Sequence, residues 1–269
     1  MSLLKIMDNT IQEDFKLLSS LPEGLAHLPC IDLKTLETVP LASRFDTKYL
    51  CPVKQINHFL QGLPDGFSVL ETENGKWTRY KSVYLDTPDF QLYRLHHNGR
   101  PNRVKVRWRT YESDNRLFLE VKKSTPRGET KKYRLSEHGE PGPLQPRHFE
   151  FLAEFFPQPH LLQESLKVHY QRCTLLHVSN GIKCTMDFGL RLQSKTGEAC
   201  FPGVVILEMK HRGRTPPFEI RHLLRSLQIR QIPVSKYALG ISSLEKVPYN
   251  SFLWTKLQLE KFHHELSPV

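Results

Sequence analysis

Asn102-Arg103-Val104-Lys105-Val106-Arg107-Trp108-Arg109-Thr110-Tyr111 is the stretch on which the reading of this chain turns. Arg103, Lys105, Arg107 and Arg109 fall on one parity, and Val104, Val106 and Trp108 on the other. Successive side chains of a strand point to opposite faces, so this run reads as a β-strand with one wholly cationic side. Two similar runs follow. Leu117 to Lys123 sets Phe118, Glu120 and Lys122 against Leu117, Leu119 and Val121, and Glu129 to Leu135 puts Lys132 and Arg134 on one side.

Antiparallel sheets commonly turn such charges to water and their apolar face to a core. Cations two residues apart on a strand lie about 6.6 Å from each other. Their repulsion is ~0.6 kcal/mol in water but ~2.5 kcal/mol per pair at an effective dielectric of 20. A cationic row that faces a cavity therefore calls for carboxylates or a polyanionic ligand.

Other segments repeat the pattern. Arg44 to Leu50 places Arg44, Asp46 and Lys48 on one face, and Lys76 to Leu85 reads as a further strand. Lys167–Leu175 carries Tyr170 and Arg172 together, Lys183–Phe188 carries Thr185 and Asp187, and Val204–Lys210 carries Ile206, Glu208 and Lys210. Helices are expected from Pro52 to about Gln61, after Asp86-Thr87-Pro88, over Pro146–Phe156 and Pro217–Leu227, and from about Phe252 to His264. Residues 1–40 read as a helix (Ile11, Phe15, Leu18) and then an irregular strap punctuated by Pro22, Pro29 and Pro40.

With about eight or nine strands and no βαβ alternation, the expected class is α+β. A closed antiparallel barrel explains the parity best: apolar faces pack outward under helices, and the charges line a lumen. Glu120, Glu208, Asp46 and Asp187 would then offer hard oxygen ligands for Mg²⁺ or Mn²⁺ among the cations. On simpler readings, Trp108 is core, Tyr170 a wall aromatic, and Asp187 the cap of a turn or a partner of Arg191. His211, beside Lys210 and Arg212, reads as a solvated loop histidine.

The 38 Lys and Arg against 28 Asp and Glu give a net charge of +10, which implies an anionic partner. The signature motifs of nucleic-acid binders are absent, so nucleic acid is not the expected partner. The five cysteines (30, 51, 173, 184, 200) are widely spaced without C-x-x-C, as reduced thiols of a cytoplasmic protein are. No apolar run approaches the ~20 residues that cross a bilayer, and the N-terminus lacks a signal-peptide pattern.

The order R-F-D-T-K-Y, S-V-Y-L-D-T-P-D, R-V-K-V-R-W-R, F-L-E-V-K, Y-Q-R, V-I-L-E-M-K and S-K-Y resembles the polyphosphate polymerase domain of the vacuolar transporter chaperone (VTC) family. That domain belongs to the CYTH-like triphosphate tunnel metalloenzymes, and the resemblance covers roughly Arg44 to Gly240. It implies a closed antiparallel eight-stranded tunnel with helices packed outside. The expected organisation is an N-terminal extension over 1–43, the tunnel domain over 44–245 and a helical tail over 246–269. No SPX-like sensor is expected before the domain and no membrane helices after it, so membrane coupling would fall to a separate membrane protein.

The resemblance also implies roles. Lys105, Arg107, Arg172 and Glu208 are the expected catalytic residues. Lys48, Arg103, Lys105, Arg107, Arg109, Lys122, Lys132, Arg134, Tyr170, Arg172, Lys210 and Lys236 are the expected substrate-binding set, with Glu208 and Glu120 holding Mn²⁺ or Mg²⁺. Asp46 stands where many relatives carry glutamate, and Lys105 where arginine is common. The implied reaction passes the terminal phosphate of ATP, or of another triphosphate, onto a polyphosphate chain. Two alternatives stay open: a triphosphatase in the same fold, and a non-catalytic polyphosphate-binding module.

Overall fold

Alternation decides most of the architecture. In the computed structural model, which describes residues 22–39, 45–111, 116–125 and 130–264, the elements run in the following order. They are α1 (Pro22–Ala26), β1 (Cys30–Ile31), α2 (Leu33–Thr38), β2 (Phe45–Pro52), α3 (Ile56–Gln61), β3 (Phe67–Leu70), β4 (Thr78–Asp86), α4 (Gln91–His97), β5 (Val104–Tyr111), β6 (Arg116–Ser124), β7 (Thr130–Glu137), α5 (Pro146–Ala153), β8 (Gln163–His177), β9 (Ile182–Gln193), β10 (Glu198–Phe201), β11 (Val204–His211), α6 (Phe218–Ser226), α7 (Lys236–Leu244) and α8 (Leu253–His264). The helix expected around Ile11, Phe15 and Leu18 lies outside the described residues, as does Arg44.

Eight strands pair antiparallel in the order β2-β11-β9-β8-β4-β5-β6-β7. The class is α+β, as expected, but the closed barrel is not formed: β2 and β7 end the sheet without pairing to each other. The free edge of β2 shows why. The segment before α7 takes its hydrogen bonds, with Ile232 N donating to Lys48 O at 2.9 Å and Tyr49 bridging Gln231. At the other end β7 is mostly exposed and carries Lys131 and Lys132, the kind of edge that deters further pairing. The sheet is therefore a curled, open one.

Its convex face is apolar. Cys51, Cys173, Leu175, Cys184, Met186, Val205, Leu207 and Met209 pack against Ile56, Phe59 and Leu60 of α3 and Ile220 and Leu224 of α6. Val104, Val106, Trp108, Leu117, Leu119 and Val121 pack under Leu152 and Phe156, at and just beyond the end of α5. The burial of Trp108 agrees with its core reading. His211 corrects another expectation. It ends β11 on the convex parity of Val205, Leu207 and Met209, is 2 % exposed, and places Nε2 3.2 Å from Thr47 Oγ1.

The concave face is divided. One part is covered by α7, whose Tyr237, Ala238, Leu239 and Ile241 pack on Leu166, Val168, Leu190 and Leu192. Ser235 caps this helix by accepting from Ala238 N, which accounts for the S-K-Y element read in the sequence. Gly240 permits the close approach, because a Cβ there would meet the buried Leu166 side chain at 2.3 Å. The remainder of the concave face is open and charged.

Two local expectations change. Pro52 completes β2, paired with Val204, instead of opening a helix; a 3₁₀ turn over Val53–Gln55 precedes α3. The strap before β2 contains two short helices, with Asp32 capping α2 through Thr35 N at 2.8 Å, and β1 pairs parallel with β3. No helix among the described residues is long and apolar enough to cross a membrane.

Candidate functional site

The open part of the concave face encloses a cavity of about 730 Å³. Its lining includes every residue expected to bind substrate: Lys48, Arg103, Lys105, Arg107, Arg109, Lys122, Lys132, Arg134, Tyr170, Arg172, Lys210 and Lys236. Strand parity and register bring them together. β5 and β6 oppose Lys105 to Lys122 and Arg107 to Glu120; β6 and β7 oppose Lys122 to Lys132; β2 and β11 oppose Lys48 to Glu208. Arg103 lies one residue before β5 and still reaches the cavity. Leu33, Leu36 and Glu37 of α2 line part of the wall near Leu70 and Thr72.

Four carboxylates are engaged by this cationic surface. Glu120 is fully buried, and Arg107 donates from Nε and Nη2 to its Oε2 at 3.0 and 2.7 Å, while Lys132 Nζ lies 2.5 Å from Oε1. Burial alone would raise the Glu120 carboxyl, but Arg107, Lys132 and Arg109 hold it well below the usual range. Arg107 also donates to Tyr84 Oη at 3.0 Å. Asp187 is also fully buried, and is gripped by Arg172 at 2.5 and 2.8 Å and by Lys236. Its partners are thus Arg172 and Lys236 rather than Arg191. Glu208 faces the cavity, with Oε1 2.7 Å from Lys210 Nζ and Oε2 3.9 Å from Lys48 Nζ. The same Lys210 ammonium donates to Asp46 Oδ2 at 2.8 Å.

Arginine and tyrosine form a second group. Tyr80 and Tyr170 stack with centroids 5.2 Å apart, and the Arg109 and Arg172 guanidinium carbons lie 5.0 and 5.1 Å from the Tyr80 centroid. Arg109 donates to Tyr170 Oη at 3.0 Å, and Lys236 Nζ sits 4.4 Å from the Tyr170 centroid. Tyr170 is therefore wall aromatic and hydrogen-bond acceptor at once. Tyr80 and Tyr84 join the lining on the parity of Ser82, a placement the sequence reading did not single out.

Lys105 and Lys122 differ from their neighbours. Among the described residues neither has an ion pair or hydrogen bond. Burial, Lys48, Arg103 and Arg107 push the Lys105 ammonium down to about 7. Arg107, burial, Lys48 and Arg109 push Lys122 well below the usual lysine value, against the opposing pull of Glu208. Two adjacent, desolvated amines that make no direct ion pair favour an anion between them, which restores their protonated forms.

The sequence matches the VTC domain over residues 43–140 and 147–245, most of the chain. The chain belongs to the VTC domain family. The match spans every lining residue from β2 to α7. No curated protein matches the sequence. Among solved structures, the PH1819 protein of Pyrococcus horikoshii OT3 is similar at 13% identity and a TM-score of 0.42, covering 74% of this chain and 99% of its own. The PH1012 protein of the same organism is similar at 13% identity and a TM-score of 0.41, over 76% of this chain and 99% of its own. A Hippeastrum protein described as an adenylyl cyclase candidate with a dominant triphosphatase activity is similar at 12% identity and a TM-score of 0.40, over 76% of this chain and 98% of its own.

Proposed function

We propose that this VTC domain binds ATP or another triphosphate in the concave cavity and transfers its terminal phosphoryl group to a polyphosphate chain. The observation that carries this reading is the Lys105–Lys122 pair, opposed in register and, among the described residues, without an ion pair or hydrogen bond, in a cavity otherwise rich in guanidinium groups. A triphosphate is the compact ligand whose several negative charges would neutralise such a surface. Phosphoryl transfer leaves a protein mainly positioning and electrostatic work. Lys105, Lys122, Arg107 and Arg172 hold phosphate oxygens and offset charge that develops on the transferred group. Lys48, Arg103, Arg109, Lys132, Arg134, Lys210 and Lys236 extend the cationic surface along the ligand. The acceptor is an anion at neutral pH, so no general base is assigned.

A divalent cation fits one of the two carboxylates expected to hold it. Both Glu120 oxygens are taken up by Arg107 and Lys132, which leaves no donor there. Glu208 and Asp46 instead converge on one ammonium, and one or two carboxylates plus phosphate oxygens is the usual donor set for Mg²⁺. Among the described residues no three His, Cys, Asp or Glu side chains gather, so the ligand's own oxygens would complete the set. When bound by Glu208 and Asp46, Mn²⁺ or Mg²⁺ would supply Lewis-acid stabilisation of the charge on the transferred group. A separate membrane protein as partner, and the division into an extension, a 44–245 domain and a tail, belong to this proposal.

Incubation with ATP and Mn²⁺, resolved for long-chain polyphosphate against orthophosphate, tests the reaction. Polyphosphate is expected; orthophosphate alone would assign hydrolysis, and neither product would assign binding without catalysis. Glu208→Gln should keep tripolyphosphate binding and lower turnover by on the order of a hundredfold. Undiminished turnover at saturating ATP and Mn²⁺ would refute the role of Glu208.

A further inference from the structure

Arg103 is held from outside the cavity. Its Nε donates to Nδ1 of His96, the penultimate residue of α4, at 3.0 Å, and its Nη1 donates to Arg100 O at 3.0 Å. His96 can accept that bond only as a neutral imidazole. Burial, with Lys105, Arg103 and Lys48 nearby, lowers it to about 2, so it is neutral throughout the working pH range. The backbone on the other side of Arg103 is fixed as well, since Ser124 N donates to Arg103 O at 2.9 Å.

The ring of His96 is itself fixed by the stretch before α8. Phe252 stacks on it with centroids 5.4 Å apart and an interplanar angle of 26°. The same stretch is tied to α4 twice more: Tyr93 Oη donates to Pro248 O at 2.7 Å, and His97 Nε2 lies 2.6 Å from Asn250 Oδ1. Pro248–Phe252 lies beyond the residues matched by the VTC domain, which end at 245. A chain of contacts thus runs from Phe252 through His96 to a guanidinium lining the cavity.

We propose that His96 is a positioning residue for Arg103, and that Pro248–Phe252 serves the site by holding the His96 ring in place. A flexible arginine at a cavity wall would otherwise lose rotamer freedom on each binding event. Orienting its guanidinium beforehand lowers that cost, and a bidentate grip on phosphate depends on the planar fork being correctly turned. The proposal rests on the reading that the cavity binds a triphosphate.

Calorimetric titration of the full chain with inorganic tripolyphosphate tests it. Arg103→Ala and His96→Leu should each weaken binding about tenfold, and the double variant should also be weaker by about tenfold rather than a hundredfold. His96→Asn, whose Oδ1 can replace the Nδ1 acceptor, should stay within about twofold of wild type. Phe252→Ala should cost about threefold alone and nothing on the Arg103→Ala background. Additive losses, unchanged affinity in His96→Leu or Arg103→Ala, or no recovery in His96→Asn would each overturn the positioning role. Failure of the wild-type chain to bind tripolyphosphate is a different result, and would overturn the triphosphate reading itself.

Discussion

Replacing Lys122 with methionine should stabilise the ligand-free protein and weaken its hold on phosphate in the same variant. Lys122 faces Lys105 across the β5–β6 ladder, where opposed Cβ atoms lie about 5 Å apart. Ammonium groups splayed to about 6 Å repel by ~2.8 kcal/mol at an effective dielectric of 20. Arg107 adds repulsion, while Glu208 returns part of it as attraction. A net gain of about 2 kcal/mol follows, since methionine keeps the length of the buried stem. In a chain of this size that is a rise in Tm of roughly 4–8 °C. The same substitution removes a charge-assisted contact worth about 1.5–3 kcal/mol, so tripolyphosphate affinity should fall roughly 10- to 100-fold. Thermal denaturation and calorimetry in one low-salt buffer near pH 6.5 measure both. A Tm at or below wild type would refute the claim of unneutralised repulsion, and unchanged affinity would refute the claim that the amine meets the ligand.

Lys105 sets a pH window. Its folded value near 7 lies below the unfolded 10.5, so its stabilising effect is present above about 10.5 and is lost as pH falls through about 7. Apo stability should therefore rise between about pH 7 and 10, less so in Lys105→Met, and tripolyphosphate binding at pH 8.5 should take up protons, measured as calorimetric heats that vary with buffer ionisation enthalpy. Glu120→Gln should act on stability before chemistry: it leaves Arg107, 8 % exposed, without its counter-charge, at about 3–5 kcal/mol or roughly 10 °C in Tm. A Glu120→Gln protein with wild-type Tm but lost Mn²⁺ binding would reverse the reading of that carboxylate.

Much of the site was legible because strand parity is a local property. Arg103 to Arg109, Phe118 to Lys122 and Ile206 to Lys210 each sort their charges onto one face without reference to the rest of the chain, and the concave cavity collects those faces. Helix starts were legible for the same reason, through residues such as Asp86, whose carboxylate accepts from Leu92 N and Tyr93 N at 2.8 and 2.9 Å. Parity also placed Lys210 toward the cavity, and the same rule, carried one residue further, assigns His211 to the core.

What parity could not separate were groups alike in sequence and unlike in surroundings. Glu120 and Glu208 both alternate with apolar neighbours beside a lysine two positions on, yet only the packing of β5 and β7 on either side of β6 makes Glu120 a fully enclosed partner of Arg107 and Lys132. Asp187 found Arg172 opposite it on the neighbouring strand rather than Arg191 along its own, because the register shift between His169 and Gln171 reverses parity along β9: Leu190 and Leu192 join the concave face, and Arg191 falls on the other. His96 and Phe252 became visible only when distant segments met.

The sequence by itself therefore determined which faces are charged and which are apolar, since these follow from the two-residue period of a strand. Tertiary structure alone decided whether the sheet closes. That outcome depends on which segment reaches the outer hydrogen-bonding groups of β2, and residues 231 and 232 of the segment before α7 occupy them in place of β7. Edge pairing is a competition between segments far apart in the chain, and local alternation carries no information about its result.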